Sequence, residues 1–301
     1  MYAELYISSV EGLEEHDYAL EKLAHSQYID GIENNLSLDG IRYIKTKGLK
    51  YTTQDPMMKS GATLSDEGFL RCITQDVIER CKLSDTEHVQ FQGFSKKKGL
   101  EDMAFHEIKR NISYNSDALR RTTGKNIAME VMPFTEYLKS EEVNAVYDMV
   151  YNPKMLKNIA RDIGIGITLD IPHMIMTCDM REKTQGMPMD AHDYYRSMIE
   201  CLSDYIVNMR VSVPGRNGDH SYEDSNLPLS DDEDGDSNLV CSLTREAYEK
   251  CPNLESITLD IRTDSRPVEH VSYMEEQVNE LLDILGDLPE PDTTSLISAA
   301  R

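Results

Sequence analysis

The sequence predicts an α/β protein whose parallel strands close into a single-domain (β/α)8 barrel, also called a TIM barrel. Eight short apolar stretches follow one another, with segments of helical spacing or helix-punctuating residues between them. The chain has 301 residues, 40% of them hydrophobic, which is enough for one barrel with extensions. An open doubly wound sheet is the competing fold, but the Gly-x-Gly-x-x-Gly turn typical of it is absent from the sequence.

The predicted strands are short and rich in aliphatic and β-branched residues. The sixth is the clearest, because Ile165, Ile167 and Leu169 alternate with smaller or polar residues before Pro172 and His173 follow. The eight strands cover residues 2–7, 28–33, 49–54, 88–91, 126–131, 165–171, 205–213 and 256–261.

Helical periodicity and end signals predict the segments between the strands. Ser65 is expected to cap the third helix, and Gly48 to end the second. The second half of the helix before the sixth strand has clear end signals: Asn152 is expected to cap it, Pro153 lies in its first turn, and Gly164 follows its end. The predicted helices cover residues 12–24, 38–44, 66–81, 100–111, 117–123, 148–163, 190–202, 244–250 and 271–285.

One domain is expected over residues 1–288, followed by a mobile tail, 289–301. A long polar loop, 214–238, follows the seventh strand and contains an acidic stretch, 219–236. That stretch is either a solvated insertion or a weak cation site. The basic run 96–98, after the fourth strand, is either a solvated loop or a contact for an anion.

Charge and composition exclude several classes of function. The 31 basic and 54 acidic residues give a net charge of −23, which opposes binding to the nucleic-acid backbone or to an acidic membrane surface. No apolar run approaches the ~20 residues of a membrane span, and the N-terminus carries Glu4 without a basic signal-peptide region. Six cysteines without a Cys-x-x-Cys pair predict a reduced, cytoplasmic protein.

Polar residues cluster at or just after the predicted strand ends, where barrel enzymes place their sites. They are Glu33, Gln54, Gln92, Glu130, Asp170, His173, Arg210 and Asp260. Three of the carboxylates, Glu130, Asp170 and Asp260, would repel one another in one mouth unless a cation, a proton or Arg210 compensates. Arg210 either joins them in a static ion-pair cluster or points up into the mouth as an anion clamp. We expect the second geometry, because three carboxylates and a histidine exceed what one arginine needs.

These strand ends resemble the xylose isomerase-like TIM-barrel superfamily, which includes sugar epimerases and endonuclease IV-like enzymes. The strongest motifs are AMEVMP at 128–133, similar to l-E-n-x-p, and ITLDIPHM at 167–174, similar to l-D-x-x-H. Weaker matches are YIDGIE at 28–33 with G-x-E, YTTQDPM at 51–57 with H-x-P, VQFQGF at 89–94 with H-P-G, and ITLDI at 257–261 with l-E. The resemblance covers most of the chain.

The departures from the family pattern bear on chemistry. Gln54 and Gln92 stand where the family usually has histidines, Arg210 replaces the histidine of the seventh-strand H-l-s-D, and Asp260 replaces a glutamate. Glutamine is a poor zinc ligand and arginine is none, so a three-metal phosphodiesterase site is not intact. An endonuclease IV-like activity is therefore disfavoured.

The resemblance implies a metal-assisted isomerase or epimerase acting on a small polyol or sugar-like substrate. Its metal ligands would be Glu130, Asp170, His173 and Asp260, an oxygen-rich set that suits magnesium or manganese better than zinc. Glu130 and Asp260 would be the acid/base pair, and no organic cofactor is expected. Gln54, Gln92 and Arg210 would bind the substrate. The alternative is a barrel that has lost catalysis and serves as a binding or structural component.

Overall fold

A computed structural model of the protein describes residues 3–8, 12–34, 36–57, 60–94, 104–132, 152–185, 190–216, 222–229, 236–262 and 266–286. Eight parallel strands form one curled sheet in the order β3-β2-β1-β10-β7-β6-β5-β4. They are β1 (Glu4–Ser8), β2 (Gly31–Glu33), β3 (Lys50–Thr52), β4 (His88–Gln92), β5 (Asn126–Glu130), β6 (Gly166–Asp170), β7 (Ile206–Val211) and β10 (Ser256–Leu259). All eight predicted strands are present, which confirms the (β/α)8 class.

Neighbouring segments connect the two edge strands of the curled sheet. No backbone ladder joins β3 to β4 among the described strands. Instead, Tyr51 and Asp85 exchange two hydrogen bonds, one from Asp85 N to the Tyr51 carbonyl (2.7 Å) and one from Tyr51 N to Asp85 Oδ2 (2.8 Å). Leu64 N also donates to the carbonyl of Gln92 (3.0 Å). Hydrogen bonds of the segments next to β3 and β4 therefore take the place of the strand pairing that would close the barrel.

In the described residues, helices follow the strands of the sheet, the last of them after β10. They are α1 (Asp17–Ala24), α2 (Leu38–Thr46), α3 (Gln75–Leu83), α4 (Phe105–Thr123), α5 (Pro153–Ile163), α6 (Ile171–Gln185), α7 (Ala191–Leu202), α8 (Asp236–Lys250) and α9 (Pro267–Leu285). The predicted end signals of α5 are confirmed: Asn152 Oδ1 accepts from Lys154 N (3.0 Å), and Gly164 is left-handed with φ 72°. None of the helices in the described ranges is long and apolar enough to cross a membrane.

The prediction of two helices between β4 and β5 was wrong. Within the described residues of this segment, from 104 onwards, a single helix, α4, continues without a break across residues 112–116, which separate the two predicted helices. Its middle contains Asn111, Asn115 and Ser116, which favour turns in isolation. In the fold they are buried, and the Asn115 amide donates to the carbonyls of Leu64 (2.9 Å) and Asp66 (3.0 Å). Tertiary hydrogen bonds therefore stabilise the helix across its polar middle.

The predicted helix 66–81 is also different. A 3-10 turn, Phe69–Cys72, precedes α3, and the N-cap of α3 is Thr74, which accepts from Val77 N (3.3 Å). Ser65 does not cap a helix. Asp66 Oδ2 accepts from Thr63 N (2.8 Å), so the residues around Ser65 form a turn.

The predicted loop 214–238 contains regular structure. β8 (Val213–Arg216) and β9 (Tyr222–Leu227) form an antiparallel hairpin, and α8 begins at Asp236 rather than at residue 244. The acidic stretch 219–236 is thus part strand and part helix start, with 219–221 and 230–235 outside the described residues. The basic run 96–98, helix residues 148–151 and the tail 289–301 also lie outside them.

Candidate active site at the strand ends

One face of several strands is polar although it is buried. In β4, Gln90 and Gln92 alternate with the buried apolar residues Val89 and Phe91. Successive side chains of a strand point to opposite faces, so the apolar residues belong to one face and the polar ones to the other. The buried polar strand residues are Glu33, Thr52, Gln90, Glu130, Thr168, Asp170, Asn208, Arg210, Ser256 and Thr258. The charged members of this set are concentrated towards the carboxyl ends of the strands.

Arg210 is the hub of this charged group and is only 4% exposed. Its Nε lies 3.3 Å from Glu33 Oε1, and its Nη1 lies 3.6 Å from Glu130 Oε1 and 3.8 Å from Asp170 Oδ2. Its Nη2 pairs with Asp260 Oδ2. Arg210 therefore lies among four carboxylates, and the expectation that it points up into the mouth was wrong.

Neighbouring amides fix the guanidinium in this position. The side-chain oxygen of Gln54, in its hydrogen-bonded orientation, accepts from Nη1 (2.7 Å) and Nη2 (2.6 Å) of Arg210. Asn226 Nδ2 donates to Asp260 Oδ2 (2.8 Å), the oxygen that also pairs with Arg210. A buried guanidinium needs its charge compensated, and the four carboxylates provide this. Gln54 and Asp260 accept from the Nη groups, whereas Nε lies beside Glu33 Oε1 without forming a hydrogen bond.

Glu130, Asp170 and His173 form a second group beside the arginine. One potential ligand atom from each residue lies within 4.8 Å of the other two. His173 Nδ1 is 3.7 Å from Glu130 Oε1 and 3.6 Å from Asp170 Oδ2, and all three side chains are buried. The expectation that Glu130 and Asp170 lie within reach of one common ligand is confirmed.

The start of α6 orients this second group. The helix begins directly after β6, so Asp170 Oδ1 accepts from the backbone N of His173 (3.0 Å). His173 Nδ1 lies 3.1 Å from the carbonyl of Val131. A carbonyl oxygen only accepts, so Nδ1 carries the proton, and Nε2 of the neutral ring carries the lone pair. A cation bound by His173 would therefore use Nε2, although Nδ1 is the ring nitrogen whose distances to Glu130 and Asp170 are 3.7 and 3.6 Å.

The chemistry of the second group fits a divalent cation. Two carboxylates and one imidazole are an oxygen-rich set. Burial raises the pKa of Asp170 to about 6, although His173 and Arg210 act in the opposite direction. Burial likewise raises the pKa of Glu33 to about 6 against the effect of Arg210. One guanidinium does not balance four carboxylates, and the cluster could hold a metal ion that offsets the remaining charge.

Asp260 lies apart from this ligand group. It was predicted among the metal ligands, but its Oδ2 accepts from Arg210 and Asn226. Gln92, predicted to bind substrate, is the ladder neighbour of Glu130 and is partly exposed. The predicted site residues therefore form an arginine half, with Gln54 and Asp260, and a ligand half of Glu130, Asp170 and His173. The two halves adjoin, because Glu130 and Asp170 also contact Arg210 Nη1.

Two residues of the site were not identified from the sequence. Asp55 is buried, its Oδ1 accepts from Met57 N (3.1 Å), and burial raises its pKa to about 7, with the charge of Glu130 adding to the effect. Its position directly after the third predicted strand was a usable signal. No sequence signal indicated Asn226, because it lies in a segment predicted to be a loop.

Comparison with known proteins shows which solved structures have a similar fold. No protein-family model and no curated protein matches the chain. Among solved structures, a D-tagatose 3-epimerase-like protein aligns with TM-score 0.59 and 17% identity over 93% of this chain and 98% of its own. A xylose isomerase domain protein from Alicyclobacillus acidocaldarius subsp. acidocaldarius aligns with TM-score 0.57 and 13% identity, over 94% and 99%. The chain therefore shares the TIM-barrel fold of these two structures.

A third similar structure is that of endonuclease IV from Thermus thermophilus. It aligns with TM-score 0.53 and 12% identity, over 93% of this chain and 100% of its own. The resemblance recognised at the strand ends is confirmed at the level of the fold. Identities this low show the shared fold alone.

Proposed function

We propose that this xylose isomerase-like barrel isomerises or epimerises a small, uncharged, sugar-like substrate with the help of a divalent cation. The observation that carries the proposal is the convergence of Glu130, Asp170 and His173, whose ligand atoms lie within 4.8 Å of one another at adjacent strand ends. The names of two structural neighbours, a D-tagatose 3-epimerase-like protein and a xylose isomerase domain protein, support the substrate class.

The residues present divide the work of such a reaction. Glu130, Asp170 and His173 would hold the cation, which supplies polarisation of substrate oxygens when bound. Glu130 and Asp260 contact different nitrogens of the Arg210 guanidinium, which fixes their positions relative to one another. We assign them as the acid/base pair: one removes the proton from the carbon beside the carbonyl, and the other returns a proton.

The charges of the mouth favour an uncharged substrate. Four carboxylates and Gln54 surround the Arg210 guanidinium, which leaves it badly placed to clamp a phosphate. The same carboxylates repel an approaching anion. We therefore assign Arg210 and Gln54 to positioning the carboxylates, and Gln92 to contact with substrate hydroxyls.

Exchange of carbon-bound hydrogen with solvent tests the proposal without knowledge of the product. Unphosphorylated ketopentoses and ketohexoses are incubated with the protein and Mn²⁺ or Mg²⁺ in D2O, and the carbon next to the carbonyl is followed by NMR after removal of the ion. We expect deuterium incorporation with the wild type and its loss in Glu130→Gln. The matched control is Glu200→Gln, which removes an exposed glutamate of α7 and should leave exchange unchanged.

A non-catalytic binding barrel is the second candidate, favoured by the burial of Arg210 among the carboxylates. It predicts that sugars bind, as seen by saturation-transfer NMR, without any exchange. Binding without exchange across the whole panel would contradict the enzymatic proposal and favour this one.

A further inference from the structure

Three side chains, Arg216, Tyr222 and Asp236, connect the β8–β9 hairpin to the start of α8. The Tyr222 hydroxyl donates to Asp236 Oδ1 (2.5 Å) and accepts from Arg216 Nη2. Arg216 also donates to Asp236 Oδ2, from Nε (3.3 Å) and from Nη2 (3.2 Å). Its guanidinium carbon lies 4.2 Å from the centre of the Tyr222 ring, within cation–π distance. We call these three residues the hairpin clamp.

The hairpin clamp anchors the end of the hairpin at which Arg216 pairs with Tyr222. Asp236 is the first residue of α8 and is buried. Burial and the hydrogen bond to Asp236 raise the pKa of Tyr222, so its hydroxyl stays protonated and donates. The backbone N of Tyr222 also donates to Asp179 Oδ2 of α6 (3.4 Å). This end of the hairpin is therefore bonded to two helices.

The opposite end of β9 contacts the mouth through Asn226. Its Nδ2 donates to Asp260 Oδ2 (2.8 Å), and its carbonyl accepts from the backbone N of Arg262 (3.0 Å). Asn226 thus holds the end of β10 at two points. A two-stranded hairpin is at most marginally stable by itself, so its anchors determine where β9 lies and where Asn226 is presented.

Close packing within the hairpin connects its two ends. Tyr222 and Asn226 are four residues apart on β9, which corresponds to about 13 Å of strand. Between them, a Cβ at Gly215 of β8 would come within 2.4 Å of Ser225 Oγ. The two strands therefore have no slack next to Asn226, and a displacement of β9 at the hairpin clamp would move the Asn226 amide relative to Asp260.

We propose that Arg216, Tyr222 and Asp236 are positioning residues for Asp260, because they fix β9 and thereby hold the Asn226 amide on this carboxylate. Arg210 and Asn226 both donate to Oδ2, which leaves Oδ1 for proton transfer in a fixed direction. The catalytic consequence rests on the proposed function, which assigns Asp260 to the acid/base pair. The connection from the hairpin clamp to the Asn226 amide can be measured independently of it.

Hydrogen exchange of the Asn226 side-chain amide, followed by NMR in the metal-free protein, tests this connection. The amide signals are assigned by their loss in Asn226→Ser. Tyr222→Phe removes the hydroxyl but keeps the ring. We expect the Asn226 signals to shift and to exchange with solvent about threefold to tenfold faster, the range expected for the loss of one hydrogen bond. The matched control is Tyr114→Phe, which removes the hydroxyl of an exposed tyrosine of α4 and should change neither.

The catalytic consequence is measured on the ketose whose hydrogen the wild type exchanges fastest. Tyr222→Phe should lower kcat by about threefold to tenfold. KM and the affinity for Mn²⁺ should stay unchanged, because the proposed cation ligands, Glu130, Asp170 and His173, lie outside the hairpin and its clamp. Tyr114→Phe should again behave as the wild type does.

Three results would each overturn the proposal: Asn226 signals and exchange in Tyr222→Phe that equal those of the wild type, an unchanged kcat in a variant whose amide exchanges faster, or a loss of kcat that follows weaker Mn²⁺ binding. A wild type without exchange activity would contradict the proposed function instead, and the amide measurement would still decide whether the hairpin clamp positions Asn226. Should Tyr222→Phe fail to fold, Asp236→Asn gives the same decision.

Discussion

Arg210 controls the electrostatics of the mouth at the scale of single residues. Burial opposes its charge, but Asp260, Glu33, Glu130 and Asp170 outweigh this effect and raise its pKa above the ordinary value. It therefore stays protonated and acts as a fixed positive charge. Removing one partner of such a buried network typically costs about 3–5 kcal/mol, because the others are left uncompensated.

Asp55 gives a residue-scale prediction on pH. Burial raises its pKa from the ordinary value of 3.8 to about 7, so the protonated form is the stable one in the fold. The stabilisation that protonated Asp55 contributes to the folded state is fully present below about pH 4 and is lost as the pH rises through about 7. Asp55→Asn cannot ionise, so the free energy of unfolding of this variant should rise relative to that of the wild type by about 3 kcal/mol between about pH 4.5 and 8.

Urea unfolding at several pH values measures this difference. Asp39→Asn is the control, because the Asp39 side chain is 95% exposed and should show no comparable trend. A difference between Asp55→Asn and wild type that is independent of pH would contradict the assignment.

Strand ends could be identified from the sequence because the period of two and the Pro or Gly that follows are local signals. Glu130, Asp170 and His173 were placed together correctly for this reason. The orientation of Arg210 could not be predicted, since it depends on Glu33 and Gln54, which come from strands far away in sequence. The sequence predicted three carboxylate partners for Arg210, whereas Glu33 is a fourth.

At the scale of elements, the β8–β9 hairpin has a function in the site that a loop would not have. It carries Asn226, whose backbone is left-handed with φ 52° and whose side chain donates to Asp260. The segment was predicted as a loop because its acidic composition hides the alternation of a strand. The same limit applied to α4, where long-range hydrogen bonds from Asn115 override the local preference for a turn.

Substitutions at Asn226 separate its backbone role from its side-chain role. Asn226→Gly and Asn226→Ala both remove the donor to Asp260, but only glycine adopts the left-handed conformation without cost. We expect Asn226→Ala to be less stable than Asn226→Gly by about 1 kcal/mol in chemical unfolding. Equal losses in the two variants would show that the backbone conformation carries no strain.

At the scale of the whole molecule, charge distinguishes this chain's expected partners from those of a nucleic-acid enzyme. A net charge of −23 and four carboxylates around Arg210 oppose the approach of a phosphate backbone. We expect no appreciable binding of duplex DNA at physiological salt in a fluorescence anisotropy assay. Tight binding that weakens steeply with added salt would reveal a basic groove and contradict this prediction.

The division of the mouth into an arginine half and a cation half is the central claim, and a Mn²⁺ titration followed by electron paramagnetic resonance tests it most directly. The wild type should bind one ion per chain. Asp170→Asn should bind it at least about tenfold more weakly, because one charged ligand is lost. Glu200→Gln should bind it as the wild type does. A wild type that binds no ion, together with an Arg210→His variant that gains tight binding, would show that the guanidinium takes the place of the metal and would contradict the account.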